Sequence, residues 1–373
     1  MRSSALAFVV ACGFGTYAAS QSIENSNDPS GYLAFSAAYS ERFKESVGVK
    51  LVGRNLFKRG VNASLGAQRN DLGYQWNAGI SKFSALSNTS LPGNGVLRFG
   101  LKGHEYAWED TLFNTKRQTF YIGSDFSLGA KTSLSLGVET FRDELSNIAA
   151  GASPLISGDA GSYRSTGITS TLRFGDKKIG SYDKKNFKAH ASAEYFGLTG
   201  NAKWSAVSGA IAFSTPITSR STLKISAEGG MAQGGGGYSL RVTDRAFLSS
   251  DQLRGFDFAG VGPIDTDGTT VTPLGGRKYA TFSVEMTHQV RDFGASQISA
   301  SVFFDAGSVW DLENVSGGVI DPVDDSFFMR QSAGISLNLD NEWGSLSISL
   351  SEPIRQRDTD RTQKLSINFD LGF

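Results

Sequence analysis

The sequence predicts an all-β protein, a transmembrane antiparallel β-barrel of about 16 strands. Three observations predict it. Apolar and polar residues alternate one by one along most of the 373 residues, and convincing helical periodicity is almost nowhere to be found. Gly (44) and Phe (26) are abundant while Pro (8) is scarce, which suits many strands joined by tight turns. The connections between alternating segments are short and long by turns, the habit of a barrel with one short-looped rim and one long-looped rim.

The composition sets limits. Lys+Arg and Asp+Glu are 36 each, so the formal charge is zero, which argues against a nucleic-acid partner. Aromatics at 11% argue against disorder. Hydrophobic residues are only 39%, low for a membrane protein built of helices but natural where only alternate residues meet lipid. No window past Gln21 approaches the roughly 18 apolar residues of a transmembrane helix.

Residues 1–20 read as a secretory signal peptide. Arg2 is the positive region, Ala5 to Ala11 the apolar run, and Ala18-Ala19-Ser20 the small-residue cleavage stretch. Val9-Val10-Ala11-Cys12 resembles a lipoprotein box, but the apolar stretch before it is too short. Residues 21–373 are then the barrel. The sole cysteine, Cys12, falls in the leader, so the mature chain has neither a disulfide nor a Cys-ligated metal. No cofactor is expected.

The strands follow in order. The first eleven are read near 32–39, 47–54, 60–67, 74–80, 96–102, 119–126, 133–139, 164–174, 187–196, 202–213 and 221–229. Five clearer ones follow. Tyr279 to Met286 sets Ala280, Phe282, Val284 and Met286 opposite Thr281, Ser283 and Glu285. Ile298 to Phe304 groups Ile298, Ala300, Val302 and Phe304 opposite Ser299, Ser301 and Phe303. Gln331 to Leu339 and Gly344 to Ser351 repeat the design. In Leu365 to Phe373 every odd position is apolar. Their even number suits a bacterial membrane barrel. The longest connection runs from Gly229 to Lys278. Its run Gly234–Gly237 lacks the Lys-Ser/Thr pair and helix start of a phosphate cradle.

Alternation alone does not say which face is outside. In a soluble sandwich the apolar face is the core, whereas in a large barrel it meets lipid. The leader, the strand count and an apolar final strand without a tail favour the barrel, whose closure satisfies every backbone group in lipid.

The longest loop carries Leu253-Arg254-Gly255-Phe256, then Gly260-Val261-Gly262-Pro263, then Leu274-Gly275-Gly276. The strand bearing Glu285 comes next, then Phe304-Asp305-Ala306-Gly307-Ser308-Val309-Trp310. This ordered series resembles the BamA/TamA superfamily of outer-membrane assembly proteins, the bacterial surface antigen family. The family usually has Val or Ile where Leu253 stands. The resemblance is specific from about Leu253 to Phe373, and before Gly230 it rests on pattern and strand count. It implies that the Arg-Gly-Phe loop folds back into the lumen and that Arg254 docks on Glu285 and Asp305, both on polar faces of their strands. A guanidinium inside a barrel needs such a carboxylate partner. Gly255 allows close backbone approach and Phe256 anchors the tip. The bland alternative is an exposed loop arginine and two unrelated carboxylates on a wetted wall.

Ile367, Phe369, Leu371 and Phe373 resemble the terminal signal read by outer-membrane assembly machinery. The resemblance also implies location in the outer membrane of a Gram-negative bacterium. The partners it implies are lipid, client outer-membrane proteins and a separate periplasmic protein in place of the repeat domains that relatives carry before the barrel. About ten residues separate the expected cleavage site from the first strand, too few for such domains. The function implied is assistance in inserting or assembling outer-membrane proteins through a weak seam between first and last strands. The alternative is a structural or pore-forming barrel. No catalytic residue is assigned, because His104, His190 and His288 are scattered and form neither a zinc site nor a nucleophile triad.

Overall fold

The computed structural model describes residues 30–40, 42–84, 95–108, 112–175, 186–294, 296–341 and 344–372. The expected leader, residues 1–20, and Phe373 lie outside these.

Alternation with Val, Ile, Phe, Thr and Ser at the pleat positions gives sixteen long strands. They are β1 (Ser30–Ser40), β2 (Lys44–Leu56), β3 (Val61–Asn70), β4 (Gly73–Ser84), β5 (Gly95–Ala107), β6 (Asn114–Ser127), β7 (Thr132–Ser146) and β8 (Gly161–Phe174). The second half is β9 (Asn186–Gly200), β10 (Trp204–Pro216), β11 (Ser221–Gly234), β12 (Lys278–Phe293), β13 (Ser296–Trp310), β14 (Arg330–Asn341), β15 (Gly344–Arg355) and β16 (Leu365–Gly372). Each pairs antiparallel with its sequence neighbours, and β16 returns to β1, closing the barrel.

The burial pattern decides which face is outside. Leu33, Leu51 and Leu65 follow one another across β1, β2 and β3 by register, and all three are more than half exposed. Leu101 and Phe120 continue the row. A soluble sandwich would bury such a row, whereas a barrel turns it to lipid. The opposite face points inward and carries Ser, Thr, Asn and charged groups. Hydroxyl ladders such as Thr287–Ser301 (2.9 Å) and Ser336–Ser349 (2.8 Å) line it.

Because the strand count is even, Ser30 and Gly372 lie at the same rim. That near rim has the short turns at 57–60, 128–131 and 217–220. The far rim bears the long connections 147–160, 235–277 and 311–329. Packed residues therefore concentrate at the far end. One cluster includes Phe196, Trp204, Leu240, Leu253, Phe256 and Val309. A second, above it, gathers Trp108, Phe113, Ile156, Phe247, Phe258 and Leu274 into a cap made of loops. Trp108 stacks on Phe113 at 4.9 Å and meets Phe247 edge-on at 5.0 Å.

Several strands extend beyond the expected bounds. β7 runs to Ser146 rather than 139, and β12 to Phe293 rather than 286. The reason on β7 is a change of phase. Beyond Glu139, Phe141, Asp143 and Leu145 point inward and are buried beneath the loops, while Arg142 and Glu144 face out. The wall there has left the lipid band, so its apolar side has switched.

Candidate functional site

Arg254 lies in the descending part of the 235–277 loop and reaches three inward-facing groups on β12 and β13. Its Nε donates to Asp305 Oδ2 at 2.7 Å and its Nη2 to Asp305 Oδ1 at 2.9 Å, a bidentate fork. Nη1 donates to Glu285 Oε2 at 2.9 Å. The ring of Phe303 lies 3.4 Å below the guanidinium carbon. Asp305 also accepts from Ser283 Oγ at 2.7 Å and is almost fully buried. Ser332 Oγ on β14 donates to the Arg254 carbonyl. The expected docking of Arg254 on Glu285 and Asp305 is thus the observed arrangement.

The glycines around it mark close approaches. Gly255 has φ 94°, a left-handed conformation, and a Cβ there would sit 3.1 Å from the Ser332 Cβ. Phe256 is buried among the upper-lumen cluster, and Gly255–Phe256 pairs with Thr362–Gln363. Gly262 and Gly276 both face Val309 of β13, and Gly307 faces Leu248 and Leu253. A Cβ on Gly260 would collide with the Arg361 carbonyl at 2.5 Å, and one on Gly275 with Phe247 at 2.6 Å. The Pro263 carbonyl accepts from the Leu274 N–H at 3.0 Å. Trp310 instead faces outward and meets Phe327 edge-on at 4.9 Å. Ile367 and Phe369 lie on the outward-facing row of β16, in register with Ile348 and Leu346, and Leu371 is in register with Gly344.

Two of the further ion pairs that hold the loops are almost fully buried, Arg241–Asp143 and Arg330–Asp360, and alternation in the sequence singles out neither. Arg241 donates from Nη1 to the buried Asp143 of β7 at 2.8 Å and from Nη2 to the Asp159 carbonyl at 2.7 Å, with Tyr163 against its face. Arg330 at the start of β14 makes a bidentate pair with Asp360, both side chains fully buried. Alternation marks Asp143 as facing the same way as Phe141, but it says nothing of what comes down to meet it.

On the loops, burial pushes the Asp159 carboxyl above its ordinary range, with Arg245 and the Val242 N–H pulling the other way. Burial likewise raises Asp244, which accepts from the Tyr238 hydroxyl at 2.6 Å. Among the described residues no group of three His, Cys, Asp or Glu side chains could hold a metal ion. His190 faces the lumen, as does Glu194, while His288 contacts Ser221 at 2.9 Å.

Fold and site together define a closed antiparallel membrane barrel plugged by its own long loop, with a buried arginine fixing that loop to the wall. The Omp85 superfamily domain matches residues 55–373, and the chain belongs to that superfamily. Its fold is that of BamA from Haemophilus ducreyi lacking POTRA domains 1–3, with a TM-score of 0.79 at 17% identity over 93% of this chain and 71% of that one. CdiB from Escherichia coli matches with a TM-score of 0.62 at 13% identity, over 91% of this chain and 63% of that one. Barrels of this superfamily are outer-membrane proteins of Gram-negative bacteria that work with partner and client proteins.

Proposed function

We propose that the chain resides in the outer membrane and assists the insertion or assembly of other outer-membrane proteins, offering its first strand as a template. The observation that carries this reading is the contrast between two edges of β1. Against β2 it is paired along its whole length, from Ser30↔Arg54 to Ser40↔Lys44. Against β16 the described pairing runs only from Ser36↔Gly372 to Tyr39↔Phe369. A strand edge with unused N–H and C=O groups recruits another strand, and a short ladder is the least costly one to open. Clients and a separate periplasmic protein are the partners of this reading, and lipid is the solvent of the outer face. No chemical step is assigned to the barrel.

The test is insertion of an unfolded client barrel into vesicles containing this protein. Tyr39 and Phe369 face each other across the seam, so Tyr39→Cys with Phe369→Cys locks it. Locking abolishes insertion and reduction restores it. Equal insertion by locked and reduced barrels would overturn the reading in favour of a structural barrel. A pore is disfavoured by the loops packed across the far end, and planar-bilayer conductance checks that point.

A further inference from the structure

The seam is held by more than its own ladder. The β1–β16 pairing stops at Tyr39↔Phe369; above it β1 ends at Ser40 and β16 continues up to Leu365, and beyond these ends lie the far-rim connections of the two strands. The β1–β2 turn supplies Arg42, whose guanidinium carbon lies 3.4 Å from the centre of the Phe258 ring. The connection between β15 and β16 supplies Arg361, whose Nη2 donates to the Phe258 carbonyl at 2.9 Å. One residue of the lumenal loop is therefore gripped from both sides of the seam.

Both jaws are braced. Arg42 also lies over Phe43 at 4.6 Å, and Trp108 meets the Phe258 ring at 5.6 Å. On the other side the backbone alternates between loop and connection. The Asp257 N–H donates to the Arg361 carbonyl at 3.1 Å, and the Arg361 N–H to the Gly260 carbonyl at 2.8 Å. Asp360, next to Arg361, is the carboxylate buried against Arg330. Lower in the lumen, Asn368 of β16 donates to Asp251 of the loop at 3.1 Å.

We propose that Phe258 is a clasp across the far end of the seam, so that loop displacement and seam opening are one coupled motion. Separating β1 from β16 at that end pulls Arg42 and Arg361 apart, and Phe258 keeps only one of them. Seam opening is thereby opposed by a contact between the half-buried Arg42 and the buried Phe258 ring of the cap, where a cation on an aromatic face is worth more than at an exposed site. Coupling of this kind is reciprocal, so a loosened loop also loosens the seam. The inference rests on the reading of the β1–β16 junction as movable, but not on what the movement is for.

The experiment measures the seam itself. Nitroxides are placed through Ser40→Cys and Ser366→Cys, and the spin–spin distance is recorded for the full chain in lipid vesicles, with heat-modifiable gel mobility confirming the folded barrel. The parent gives one narrow distance. Phe258→Leu keeps the bulk and removes the aromatic face, while Arg361→Met removes the other grip. Each raises the long-distance population about tenfold, as expected for losing one desolvated contact. The Arg361 amide, bonded to the Gly260 carbonyl, exchanges faster in Phe258→Leu. Distances identical to the parent in both variants overturn the clasp. If the seam widens while seam locking leaves client insertion untouched, the clasp stands and the assembly reading falls. If locking abolishes insertion while both variants keep the parent distance, the reverse holds.

Discussion

Replacing Arg254 by Ala removes the centre of the buried site and leaves its partners in place. Asp305, 2% exposed at its side chain, would lose a bidentate partner at 2.7 Å and 2.9 Å and keep Ser283 and the backbone N–H of residue 254. Glu285 would lose its 2.9 Å contact, and Phe303 the cation on its face. Breaking a buried pair by removing one member costs about 3–5 kcal/mol, because the remaining charge is left uncompensated. Global unfolding need not show this cost in full, since the loop can undock and let water reach Asp305. The sensitive assay is therefore local: hydrogen exchange at the Phe256 amide, which donates to the Leu253 carbonyl at 3.3 Å beside the docked arginine. A loss of that size speeds loop opening by roughly two to four orders of magnitude. Arg254→Lys retains the charge but not the fork, and falls between. Adding Asp305→Asn to Arg254→Ala recovers part of the protection, because no buried charge remains unpaired at that position. Exchange at Phe256 equal to that of the parent in Arg254→Ala would refute the claim that this contact pins the loop.

The other expectations are shorter. Gly255→Ala forces a side chain into a backbone at φ 94° and against Ser332, destabilising the docked loop by about 1–2 kcal/mol, read as faster proteolysis of the loop. Arg330→Met leaves Asp360 buried and unpaired and lowers the thermal midpoint, a loss of about 3–5 kcal/mol, and adding Asp360→Leu restores much of it. Deleting Phe373 impairs insertion of this chain itself into membranes, measured as the heat-modifiable fraction, and normal insertion would sink the assembly-signal role. The Asp159 carboxyl, raised by burial, titrates above the ordinary value of 3.8, as carbon chemical shifts will show. Its folded form holds the proton longer than its unfolded form. Its contribution to stability is thus fully present below 3.8 and declines as pH rises from there through the raised value.

The wall was legible in the sequence because a period of two is a local property. Leu365 to Leu371 declares its faces within a few residues, and so do most of the strands crossing the apolar band. What the pattern concealed was height. On β7 the apolar side changes from outer to inner beyond Glu139, so a reader following Leu134, Leu136 and Val138 stops there while the strand continues to Ser146. On β5 and β6 the outward pair Glu105 and Lys116, 3.0 Å apart, likewise belongs to strand raised clear of lipid. The main site was legible for a different reason: its residues stand in an ordered series that resembles a family motif. Arg241–Asp143 and Arg330–Asp360 have no such signature. Their partners stand 98 and 30 positions apart, and alternation reports only which way each points.

The short pairing of Gly255–Phe256 with Thr362–Gln363 has a consequence for how the chain is completed. Counting from the N-terminus, fifteen strands and the loop precede residues 362–363 in the chain. The loop's backbone then fixes where along the barrel axis the chain turns to start its last strand. A slip of one residue in that strand would turn Leu365, Ile367 and Phe369 from lipid to water. Beside the ladder with β15, which runs from Gly344↔Leu371 to Leu350↔Leu365, the plug inside the barrel is a second ruler against which the outermost register is set.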